Sequence, residues 1–149
     1  MTASGFESGL FAPGLAGVHA VPDDELPMVA MAAVDAGLRP TWIDLAHCSG
    51  KSMLLLRMAV ALDAPSGSGR NWDALSDLLR DLGWLDAPGG HALLLAFAGD
   101  LREAAPADFD TLLSILHEAV ESWAGTDTPL WVFLGLAGSG VESSGDDDA

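Results

Sequence analysis

The amino-acid sequence predicts an α/β domain with a small, mainly parallel sheet of three to four strands packed with helices. Short apolar runs alternate along the chain with longer stretches whose apolar residues recur every three or four positions. Such an alternation of strands and helices is typical of parallel sheets. The chain has 149 residues, of which 50% are hydrophobic. That is enough for one domain with a sizeable core.

Apolar runs bounded by turn residues predict the strands. The three core strands are predicted at 39–46, 91–99 and 129–136, and an additional fourth strand at 17–21. The run HALLLAFAG at 91–99 is apolar throughout and lies between two glycines. Such a run indicates a strand that is covered on both faces.

The helices are predicted from apolar spacing and from residues that start or stop a helix. The segment 22–37 begins with acidic residues and ends at a glycine, as helices commonly do. A helix over 50–62 is apolar nearly all round, so we expect it to be buried, with Ser49 as its N-cap. Further helices are predicted over 71–82, with Gly83 as the stop, and over 107–124.

We expect four parts along the chain. These are a loosely ordered segment at 1–16, a strand–helix extension at 17–38, the main domain at 39–136 and a disordered acidic tail at 137–149. The N-terminus has no basic region followed by a long apolar run, so we expect no secretory signal. The apolar segments are too short to span a bilayer, and the single cysteine fits a reducing compartment. We therefore expect a cytoplasmic protein that does not bind membranes.

The charge balance is strongly acidic. Asp and Glu total 22 and Lys and Arg total 6, so the net charge is 6 − 22 = −16. Binding to nucleic acid is not expected, because phosphate contacts need Lys and Arg. If the partner is charged, we expect it to be a basic protein.

One loop resembles two kinds of catalytic motif without completing either. The tripeptide at 50–52, Gly-Lys-Ser, imitates the end of a phosphate-binding loop, but Leu45 stands where that loop needs a glycine. The adjacent His47 and Cys48, with Lys51 nearby, leave open a small enzyme with a thiol–imidazole nucleophile. A lone cysteine beside a strand is more often a small buried residue. The four histidines are scattered without metal-ligand spacing, so we predict no metal and no cofactor.

The helix predicted at 71–82 has one apolar and one acidic face. Asp73, Asp77 and Asp81 follow at steps of four and so lie above one another, with only Arg80 nearby to offset them. Like charges at this spacing cost about 0.2–0.5 kcal/mol per pair. A solvated acidic face is one interpretation. The other is a surface for a cationic partner, which removes the repulsion and speeds encounter. The apolar stripe consists of Trp72, Leu75, Leu78, Leu79 and Leu82.

The stretch LDAPSGSGRNWDALSDLLRDLGWL at 62–85 resembles the signature of the barstar family, intracellular protein inhibitors of microbial ribonucleases. The family pattern is a proline, a loop with a glycine, then Asn, a large apolar residue, Asp-Ala-Leu, and an Asp four positions after the first. The order of strands and helices over residues 40–136 is also similar to that family. The matching residues are Pro65, Gly69, Asn71, Trp72, Asp73, Ala74, Leu75 and Asp77.

The resemblance implies a non-enzymatic antitoxin that blocks a small basic ribonuclease of the extracellular type with carboxylates in place of substrate phosphate. It implies that Asp77 is inserted deepest, beside Asp73, and that Asn71 and Gly69 belong to a loop with backbone contacts. Glu118, in the segment LHEA at 116–119, matches a further contact position.

The loop departs from the family pattern. Gly67 and Ser68 stand where family members typically carry aromatic residues, and the chain has no tyrosine. Aromatic anchors often dominate the energy of an interface. Their absence keeps an alternative open, in which the domain binds another basic protein without inhibiting a ribonuclease.

Overall fold

The computed structural model describes residues 17–136, so the predictions for 1–16 and 137–149 lie outside the described residues. The strands are β1 (Val18–Val21), β2 (Arg39–Asp44), β3 (His91–Ala96) and β4 (Leu130–Gly135). The α-helices are α1 (Leu26–Asp35), α2 (Lys51–Ala61), α3 (Trp72–Asp81), α4 (Ala98–Ala104) and α5 (Pro106–Ala124), with a 3-10 turn at Asp23–Glu25 before α1.

The four strands form one sheet in the order β1-β4-β3-β2, and every neighbouring pair is parallel. The prediction of an α/β fold with a small parallel sheet is therefore confirmed, with four strands. All residues of the two central strands, β3 and β4, are buried. This confirms the prediction that the run at 91–99 contributes a strand covered on both faces, although the strand itself ends at Ala96.

Helices cover the sheet on both sides. On one face, α1 places Leu26, Val29 and Ala33 against side chains of β3 and β4. On the other face, α2, α3 and α5 build the larger core around the alternate side chains of the same strands. Since successive strand residues point to opposite faces, both cores share the two central strands.

Helix α2 is less buried than the sequence predicts. Only Leu54, Leu55 and Met58 are buried, whereas Leu56 is 41% and Val60 is 71% exposed. The prediction of a buried helix was wrong because α2 packs against β2, the edge strand, and against α3. The side of α2 that carries Leu56 and Val60 is therefore left exposed.

Several predicted helix ends also differ. Gly50, not Ser49, precedes α2, and it provides no side-chain cap. Helix α3 ends at Asp81, and Leu82 rather than Gly83 takes the left-handed conformation, with φ of 53°. Leu82 is 1% exposed, so burial of its side chain offsets the cost of that backbone. The short helix α4 was not predicted at all.

Candidate partner-binding site on helix α3

Helix α3 begins at a side-chain cap. Asn71 has an extended backbone, and its Oδ1 accepts a hydrogen bond from the backbone N–H of Ala74 at 2.7 Å. This satisfies one of the N–H groups that a helix leaves unpaired at its start. Asp73 lies in the first turn, where the helix dipole stabilises a negative charge. Asn71, predicted as a partner-binding residue, therefore also holds the helix in place.

The apolar face of α3 is anchored in the larger core. Leu75, Leu78 and Leu79 are buried, which confirms the predicted stripe, and Trp72 packs partly buried beside them. From α5, Trp123 Nε1 donates a hydrogen bond to the carbonyl oxygen of Leu79 at 2.7 Å. The helix is thus fixed by packing on one side, and its acidic face is presented to solvent on a rigid support.

The three stacked aspartates are all exposed, as predicted, but their surroundings differ. Asp77 forms an ion pair with another side chain, since its Oδ1 lies 3.0 Å from Arg80 Nη2. Asp81 Oδ1 accepts a hydrogen bond from the backbone N–H of Gly83 at 3.1 Å. Asp73 makes no side-chain hydrogen bond or ion pair with any residue of the described part of the chain.

A shallow groove of about 270 Å³ separates α3 from the loop that precedes it. It brings together Gly69 and Asp77, two of the predicted site residues, whereas Asn71 and Asp73 lie outside its lining. Trp84 also lines it, and its Nε1 donates a hydrogen bond to the carbonyl oxygen of Leu62 at 2.9 Å. Sequence reasoning did not single out Trp84, although an aromatic residue directly after the glycine that follows α3 was a usable signal. The complete lining is Pro65, Ser68, Gly69, Ala74, Asp77, Leu78, Asp81 and Trp84.

The loop between α2 and α3 presents mainly backbone and small side chains. Residues 65–71 are all exposed, and Gly67 has φ of 91°, a conformation that favours glycine. A backbone of this kind can approach a partner closely, but it offers no aromatic anchor.

Glu118, the fifth predicted site residue, is exposed on α5. Helix α5 packs directly against α3. Glu118 therefore belongs to a neighbouring element of the same half of the molecule, while no hydrogen bond or ion pair within residues 17–136 connects it to the α3 carboxylates.

Basic residues also surround this acidic helix. Lys51 Nζ lies 5.6 Å from the ring centroid of Trp72, Arg70 is exposed in the loop, and Arg80 pairs with Asp77. These three are half of the six Lys and Arg residues in the chain. The surface is thus an acidic stripe with cations at its sides, rather than a uniformly negative patch.

The loop with His47 and Cys48 does not have the properties of a nucleophilic site. Cys48 is 1% exposed, and burial raises the pKa of its thiol above the ordinary value. A reactive cysteine needs the opposite, a lowered pKa and access to solvent. Lys51, the third residue of the enzyme hypothesis, points its ammonium group at Trp72. Cys48 is better explained as a small core residue.

A family model described as barstar (barnase inhibitor) matches residues 38–135, which is more than half of the chain. The chain therefore belongs to the barstar family, as the motif at 62–85 predicts. No curated protein matches the chain at a significant level. Strand β1 and helix α1 precede the matched region.

Among residues 17–136, no group of three or more His, Cys, Asp or Glu side chains is arranged to hold a metal ion. Within the same range, no helix is both long and apolar enough to cross a membrane.

Proposed function

We propose that this protein inhibits a small cationic ribonuclease by placing the acidic face of α3 in the enzyme's phosphate-binding site. The observation that carries the proposal is the exposed pair Asp73 and Asp77, stacked on a helix whose other face is anchored in the core. The family description, barnase inhibitor, supports the kind of partner. Carboxylates in place of phosphate attract the cations of such a site, and the negative charge of the chain accelerates the encounter.

Each site residue has a role in this proposal. Asp77 enters deepest, by its match to the family motif, and it lines the groove beside the loop, while Asp73 follows one turn toward the start of the helix. Gly69 and Asn71 contribute contacts from the loop, and Glu118 contacts the enzyme from α5. The protein itself carries out no catalysis and acts as an antitoxin in the cytoplasm, where it protects the cell against the ribonuclease.

One observation favours a second candidate, a domain that binds another basic protein without inhibiting a ribonuclease. The exposed loop carries Gly67 and Ser68 where the family typically has aromatic residues. Interfaces with few aromatic anchors are often weaker. The two candidates share the acidic surface and differ only in the partner.

The test compares alanine variants of the three stacked aspartates in binding to barnase and in inhibition of its RNA cleavage. Asp77→Ala should weaken the binding free energy most, by about 2–5 kcal/mol. The barnase–barstar complex is itself a reference case for that range. Asp73→Ala should lose less. Asp81→Ala, a turn farther from the loop, should lose little, as charges at an interface rim usually do.

Asp24→Ala is the matched control, because Asp24 is exposed and lies just before α1, on the side of the sheet opposite α3. It removes the same charge and should leave binding nearly unchanged. Asp77→Ala should also melt close to the temperature of the unmodified protein, because loss of the like-charge repulsion with Asp73 and Asp81 is offset by loss of the weak ion pair with Arg80. Equal losses for all three α3 variants would indicate diffuse charge attraction. Absence of barnase binding, together with recovery of a different basic protein, would favour the second candidate.

A further inference from the structure

Arg80 makes two intramolecular contacts on helix α3, one of them with the acidic face. Within residues 17–136, the structure contains one ion pair between side chains, and Arg80 and Asp77 form it at 3.0 Å. The Nε atom of Arg80 also donates a hydrogen bond to the carbonyl oxygen of Ser76 at 3.3 Å. Two contacts on one turn of helix therefore hold the guanidinium group against the carboxylate.

This contact occupies the carboxylate on which the proposed function depends most. A cation that binds a carboxylate through both oxygens, as a guanidinium group commonly does, needs the Oδ1 atom that Arg80 already contacts. Oδ1 can accept a second hydrogen bond, but a second guanidinium group there lies beside that of Arg80, so such a ligand competes with Arg80 for Asp77. Since the side chains of Arg80 and Asp77 are 48% and 78% exposed, the pair is weak, and displacing it costs only about a twofold change in an equilibrium constant.

The displaced arginine adds a second effect. Arg80 is on the same helix, three residues after Asp77, so its charge stays close to whatever cation takes its place. Like charges placed together across an interface are unfavourable. A single cation that binds Asp77 is opposed by this repulsion. A cleft with several fixed cations can also bind Asp73 and the free oxygen of Asp77, and these added contacts offset the repulsion.

We propose that Arg80 is a specificity-determining residue of this surface, holding Asp77 in the free protein and favouring ligands that present several cations in a fixed cleft over flexible cationic chains. The inference rests on the proposed role of Asp77. It goes beyond that role by assigning a function to a cation that lies on the binding face.

The experiment compares Arg80→Gln with Arg102→Gln. Glutamine keeps helix propensity close to that of arginine, and both changes remove one positive charge from an exposed helical position. Arg102 lies on α4, so the control reports the effect of net charge alone. The probe is a hexa-arginine peptide, a flexible cation without a fixed cleft, with dissociation constants measured by fluorescence anisotropy at low ionic strength.

Arg80→Gln should bind the peptide at least about twofold more tightly than Arg102→Gln. Adding Asp77→Ala to both variants should remove the difference, because the gain depends on the freed carboxylate. Equal affinity of the two single variants, or weaker binding by Arg80→Gln, would overturn the inference. So would a gain that persists without Asp77. Circular dichroism melts of each variant verify that it is folded.

Barnase, used in parallel, separates this inference from the proposed function. If barnase is bound by none of the proteins, the proposed function fails, while the peptide measurements still decide the role of Arg80. If barnase is inhibited in the manner expected for Asp77 but the peptide does not distinguish Arg80→Gln from Arg102→Gln, the inference about Arg80 fails alone.

Discussion

Replacing Asn71 by alanine should destabilise the protein by loss of the α3 cap. The hydrogen bond from the Ala74 N–H to Asn71 Oδ1, at 2.7 Å, is the side-chain cap of a helix of only ten residues. Loss of an N-cap of this kind typically costs about 1 kcal/mol, within a range of about 0.5–2 kcal/mol. Because Asn71 is exposed, water can reach the freed N–H, so we expect the lower half of that range. For a chain of this size, about 1 kcal/mol lowers the melting temperature by roughly 2–4 °C.

The assay is urea unfolding followed by circular dichroism, with Asn71→Ser as the matched control. Serine offers a hydroxyl oxygen that caps a helix about as well as the asparagine amide. Asn71→Ser should therefore have the same free energy of unfolding as the unmodified protein. In Asn71→Ala the free energy of unfolding should be lower by the amount given above. If Asn71 also contacts the partner, Asn71→Ser should weaken binding without weakening the fold. Equal stability of the alanine and serine variants would refute the assignment of Asn71 as the cap.

Two further predictions concern buried titratable groups. Burial, and to a smaller extent the charge of Arg39, lowers the pKa of the His91 imidazole, so near pH 6.5 the unfolded chain binds a proton that the folded protein does not. The free energy of unfolding should therefore fall as the pH decreases from about 7.5 to about 5.5, and it should fall less in His91→Gln. Parallel pH profiles of unfolding free energy for the two proteins would contradict this. Burial raises the pKa of the Cys48 thiol, so iodoacetamide at about pH 8 should modify Cys48 slowly in the native protein and rapidly in urea, and fast native modification would show that Cys48 is accessible.

The sequence alone determined the fold class and the two faces of α3. Continuous apolar runs indicate strands that are covered on both sides, and β3 and β4 are buried throughout. The recurrence of apolar residues every three or four positions assigned Leu75, Leu78 and Leu79 to the core and the stacked aspartates to the solvent-facing side of α3. These features depend on the geometry of a single element, in which the repeat of the backbone decides which side chains share a face.

Only the tertiary structure decided which neighbours meet those faces. Helix α2 is apolar nearly all round, yet Val60 is exposed because α2 packs beside an edge strand, a position that periodicity does not encode. Contacts between segments that are far apart in the chain bury Cys48 and place Trp84 in the lining of the groove. The spacing of three residues already places Arg80 beside Asp77, because adjacent residues such as Arg80 and Asp81 do not face each other on a helix. Only the structure shows that the same guanidinium group also bonds the Ser76 carbonyl, since that contact depends on the conformation of the arginine side chain.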